Sequence, residues 1–109
     1  MKTQNWTRNE FKAYVLVYAA HCNFFESTEE KEYILSKVDK KTFHKIHTEV
    51  VVDSDGDNLN KIQEYLSENK FNQKEKDDLI REVKNVFFAD GSVDVIEKKV
   101  FSILKKIID

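Results

Sequence analysis

Apolar residues recur along this chain at three- and four-residue steps, the spacing that puts side chains on one face of an α-helix. Phe11, Tyr14, Val15, Tyr18, Ala19 and Cys22 form a first stripe. Tyr33, Ile34 and Val38 begin a second, Phe43, Ile46 and Val50 a third, and Leu59, Ile62 and Leu66 a fourth. Leu79, Ile80, Val83, Val86 and Phe87 mark a longer fifth helix, and Val100, Ile103, Leu104 and Ile107 a sixth. Start signals sit ahead of several stripes. Thr7 with Glu10, Ser27 with Glu30, Asn72 with Glu75 and Asp94 with Glu97 each have the capping-box form, in which a short polar side chain and a glutamate three residues on satisfy each other's backbone amides. The pattern predicts an all-α fold, one compact bundle of about six helices joined by short turns, spanning residues 1–109 as a single domain.

Composition agrees with that reading. The 109 residues contain no proline and two glycines, and 40% are hydrophobic, an ordinary share for a globular domain of this size. Eighteen basic residues against twenty acidic ones leave a formal charge of -2, with both signs interleaved. No broad field is expected to draw in nucleic acid or an anionic membrane, so partners are expected to be proteins recognised by local patches. The opening "MKTQNWTRNEFK" has no signal-like apolar run, and nothing approaches the roughly 20 apolar residues of a membrane span. The expected location is the cytoplasm. The lone Cys22 fits a reducing compartment.

One stretch repeats. "FFADGSVDVIEKKVFSILKKI" lies over "AAHCNFFESTEEKEYILSKV" with Asp90 on Asn23, Asp94 on Ser27, Glu97 on Glu30, Val100 on Tyr33 and Phe101 on Ile34. The bundle is therefore expected to contain two pseudo-repeated helix-turn-helix units. The run Ala89, Asp90, Gly91, Val93, Asp94 and Glu97 ahead of an apolar helix resembles the TerB-like domain of tellurite-resistance proteins, found also at the N-terminus of DjlA-type co-chaperones. That resemblance implies a small all-helical domain without enzymatic activity, serving stress responses, with acidic turns suspected of holding a divalent cation. It carries over to Asp90, Gly91 and Glu97, and to Glu30 in the first copy, with Asp94 beside them as a further candidate metal ligand. The first copy departs from the pattern at Asn23 and Phe24. Turn geometry alone also accounts for the same residues, with Gly91 ending a helix, Asp94 capping the next and Glu97 closing the box.

A second candidate is "DSDGDNLNKIQE", residues 53–64. Counted from Asp53, the carboxylates of Asp55, Asp57 and Glu64 fall at the third, fifth and twelfth positions of an EF-hand calcium loop, with Asn58 at the glycine position. Lys61 at the ninth position and Asn60 at the eighth are foreign to such a loop. The loop also needs residues 59–61 extended, whereas Leu59, Ile62, Tyr65 and Leu66 follow a helical stripe. If Leu59 is helical, Asp57 or Asn58 becomes the cap, and Asp53 and Asp55 become turn residues favoured by the helix's positive end.

The remaining candidates have bland alternatives. His44 and His47, three apart on one helix, can hold zinc if another ligand converges, and His21 beside Cys22 invites the same suspicion. Lys37, Lys40, Lys41 and Lys45 form a basic run around the third helix, a solvated face unless an acidic partner meets it. No nucleophile elbow, phosphate-cradling glycine loop or His-Glu-x-x-His pair occurs, so an enzyme is not expected.

Overall fold

In a computed structural model, which describes residues 6–21, 28–89 and 95–108 and leaves out the side chain of Asp55, every regular element is helical. The elements are α1 (Arg8–His21), α2 (Thr28–Lys37), α3 (Lys40–Val52), α4 (Asp55–Glu68), α5 (Gln73–Phe87) and α6 (Val95–Ile108). These are the six helices the periodicity predicts, and no strand occurs among the described residues.

The first helix departs from expectation in an informative way. Its stripe predicts one buried face, yet Phe11 and every residue from Ala13 to Ala20 are buried. The reason is compositional, because AYVLVYAA places no charged residue on any face over more than two turns. A helix apolar all round is stable only when surrounded. Accordingly α1 packs against all five other helices, most extensively against α3 and α5, and forms the axis of the core. The others keep one apolar face each, with Ile34 from α2, Phe43, Ile46 and Val50 from α3, Ile62 from α4, Val83 and Val86 from α5 and Leu104 from α6 turned inward.

Caps fix where the helices begin. Thr7 Oγ1 accepts from Glu10 N at 3.1 Å while Glu10 Oε1 accepts from Thr7 N at 2.9 Å, so the expected box at α1 is formed. The box at α5 is formed as well, Asn72 Oδ1 accepting from Glu75 N at 2.8 Å and Glu75 Oε1 from Asn72 N at 3.0 Å. Ser27 and Asp94, the caps expected for α2 and α6, lie outside the described residues. Two further caps appear at Asp39, which accepts from Thr42 N, and Ser54, which accepts from Asp57 N.

The start of α1 is tied to the α4–α5 connection by an aromatic and ionic lock. Arg8 donates to Glu75 Oε2 at 2.8 Å and to the Lys70 carbonyl at 2.9 Å, and its guanidinium lies 3.9 Å from the centre of the Phe71 ring. Phe11 stacks on Tyr65 at 4.2 Å, and Trp6 lies 4.5 Å from Tyr14.

Candidate functional site

Residues 53–64 do not form a calcium loop. Asp53 ends α3, Ser54 caps α4, and α4 runs from Asp55 through Glu64. The cap therefore falls three to four residues earlier than the Asp57 or Asn58 that the apolar stripe suggests. Ser54 accounts for the difference, because its hydroxyl meets Asp57 N at 3.2 Å and lets the polar residues Asp55, Gly56 and Asp57 form the helix's first turn. With Leu59 helical, its carbonyl is committed to the helix, and the carbonyl ligand an EF-hand needs is lost. Asp57 and Glu64 are exposed and two helical turns apart, about 10 Å along the axis.

Asp53 has a different task. Its Oδ2 accepts from the Tyr14 hydroxyl at 2.7 Å and from Lys61 Nζ at 2.7 Å, so Lys61 supplies the positive charge that a metal would have supplied. Asn58, only 4% exposed, donates from Nδ2 to the Tyr14 oxygen at 2.7 Å and to the Val50 carbonyl at 3.4 Å. Four side chains thus satisfy one another and bind the α3–α4 corner to the central helix. Burial pushes the Tyr14 hydroxyl pKa well up, the Asp53 carboxylate adds to the rise, and the Asn58 donation opposes it. The phenol stays protonated and acts as a donor.

The TerB-like residues are only partly described. Asp90, Gly91 and Asp94 lie outside the described residues. Glu30 and Glu97 occupy the same third position of α2 and α6, and both are buried, at 1% and 4% exposure. This matched placement agrees with the internal duplication, and each carboxylate sits at the end of its helix where the dipole favours negative charge. Neither glutamate lies in a group of three or more histidine, cysteine or carboxylate side chains able to hold a metal, among the described residues.

The histidines divide. His21 and His47 approach edge to face at 6.3 Å, His47 also stacks on Phe43 at 5.4 Å, and His44 is exposed with its ring edge-on to Phe43 at 5.6 Å. Cys22 lies outside the described residues. Two of the four lysines of the basic run are engaged locally: Lys45 pairs with Glu10 at 2.7 Å, and the Lys37 ammonium lies 5.5 Å from the Tyr33 ring. The Lys45 bond and then the Thr7 amide hold the Glu10 carboxyl below its ordinary value.

Two surface hollows stand out among the described residues. The larger, about 230 Å³, lies between the start of α1 and α5; of the charged residues lining it, Arg8 pairs with Glu75 at 2.8 Å and Lys12 with Glu82 at 2.9 Å, while Asp78 pairs with Arg81 at 2.7 Å. The other, about 180 Å³, lies on the α5–α6 hairpin and is lined by Phe87, Phe88 and Phe101 with Lys84 and Lys98. Phe87 and Phe101 meet edge to face at 6.2 Å across the hairpin, while Phe88 caps α5 and stands 53% exposed. Val95 and Ile96, the first residues of α6, are 80% and 52% exposed. Sequence reasoning did not single out this surface. The signal was available in the doubled Phe87-Phe88, since only the first of the pair fits the α5 stripe, and in Val95-Ile96 ahead of the α6 stripe.

Fold and surface together define an all-α helical bundle with an open apolar groove at one hairpin. Comparison of the chain with protein-family models, with curated proteins and with solved structures gives no match.

Proposed function

We propose that this chain is a non-catalytic helical interaction module of TerB-like character that meets a protein partner through the α5–α6 hairpin. The observation that carries the reading is the phenylalanine-lined groove with Phe88 exposed in its wall, on the same hairpin as the exposed Val95 and Ile96 at the start of α6. Fully burying a phenylalanine contributes about 1.5–3 kcal/mol, and Phe88 leaves about half of its surface in water. Grouped large apolar side chains of this kind favour association, whereas single ones are ordinary. The larger hollow supports the same class, since its carboxylates Glu75, Glu82 and Asp78 are held by Arg8, Lys12 and Arg81. A stress-response setting, and a divalent cation at the turn of Asp90 and Asp94 with Glu97 and Glu30, rest on the resemblance alone. Elemental analysis of purified protein tests the cation directly.

The interaction reading is tested by capture from lysate on immobilised wild type, Phe88→Ser and Val52→Ser. Val52 is 78% exposed at the end of α3 and serves as the control apolar position. The expected result is a partner lost with Phe88→Ser and kept with Val52→Ser. A partner retained by Phe88→Ser, or turnover of ester or phosphate substrates by the wild type, would overturn the reading.

A further inference from the structure

We infer that the α5–α6 groove takes a segment of a partner protein in which a large apolar side chain is flanked by carboxylates. This rests on the reading of the hairpin as an interaction surface and adds the chemistry of the occupant. The groove offers three aromatic rings, and the charged side chains lining it are two lysines, Lys84 from α5 and Lys98 from α6. The Lys84 ammonium lies 6.0 Å from the centre of the Phe88 ring, so its stem follows the aromatic wall and its charge stays at the rim. Both lysines are exposed, and among the described residues neither has a carboxylate within ion-pair distance. Among the described residues they differ in this from Arg8, Lys12, Lys45, Lys61 and Arg81, each of which faces an acidic neighbour.

The arrangement selects by sign. An apolar anchor seated on the rings brings the residues beside it to the two ammonium groups, where a carboxylate is attracted and a cation is repelled. An anionic lipid surface shares the charge but not the shape, because a concave groove receives a side chain while a bilayer rewards apolar residues that protrude. The chain's formal charge of -2 also opposes adsorption to such a surface.

Random-peptide display panned on intact wild type, with Phe88→Ser protein used to remove unrelated binders, tests the inference. The expected peptides carry Leu, Ile, Phe or Trp beside Asp or Glu. Fluorescein-labelled copies should bind wild type and weaken about tenfold with the double substitution Lys84→Glu and Lys98→Glu, the size two rim ion pairs give together. Both lysines are exposed, so the double variant should melt as the wild type does. Selection of neutral or basic peptides, or indifference to the charge reversal, overturns the inference. So does self-association of the wild type that Phe88→Ser abolishes, or co-sedimentation with phosphatidylserine vesicles in place of peptide binding. A lysate partner lost with Phe88→Ser but kept by the charge-reversed protein defeats the acidic chemistry alone. A partner kept by Phe88→Ser defeats the interaction surface as well.

Discussion

Asp53 resembles a metal ligand by its spacing from Asp55 and Asp57, and in the fold it is the acceptor for Tyr14 and Lys61. Removing the phenolic hydroxyl with Tyr14→Phe takes one partner each from Asp53 and the buried Asn58. The expected cost is about 1–3 kcal/mol, read as a lower urea midpoint with an unchanged slope. An unchanged midpoint would mean that the clasp contributes nothing to stability. Glu10 gives a pH-dependent counterpart. Its carboxyl is held below the ordinary 4.5 by Lys45 and by the Thr7 amide, so the folded chain binds this proton more weakly than the unfolded chain does. The resulting stability is present above the unfolded value and is lost as pH falls through the folded one. The stability gap between wild type and Glu10→Gln should therefore shrink from about pH 5 downward, and a constant gap across an acid titration would refute the assignment. The partnership of Tyr14 with Asp53 spans 39 positions, and no local pattern encodes a contact of that range.

The helices themselves were legible, because periodicity and capping boxes are local. Thr7 with Glu10 and Asn72 with Glu75 form as the sequence suggests. The caps at Asp39 and Ser54 were harder to find, since Thr42 and Asp57 stand where the box form has a glutamate. Gly56 accordingly lies in the first turn of α4, with open space where a Cβ would project. Gly56→Ala is therefore expected to stabilise the protein by about 0.5–1 kcal/mol, seen as a higher melting temperature. Destabilisation by Gly56→Ala would argue against a helix starting at Ser54.

For the molecule as a whole, α1 shows what a sequence stripe leaves out: a segment with no polar face is surrounded, and the other five helices arrange around it. The apolar core of α1 is fully used, and among the described residues the large apolar side chains left exposed fall in two places, Val51 and Val52 at the end of α3 and Phe88, Val95 and Ile96 on the α5–α6 hairpin. That surface could not be read from composition, because exposure depends on which helix covers which. Of the acidic residues that drew attention along the chain and are described, Asp53 holds the fold, Glu30 and Glu97 are buried, and Asp57 and Glu64 are exposed on α4. The functional weight in this account falls on the α5–α6 face. An amide chemical-shift map, recorded after adding calcium and again after adding a captured partner, tests that assignment most directly. The account predicts no movement at residues 53–64 with calcium, and shifts centred on Lys84–Phe88 and Val95–Phe101 with the partner. Calcium-dependent shifts across residues 53–64, with the hairpin unmoved by the partner, would contradict it.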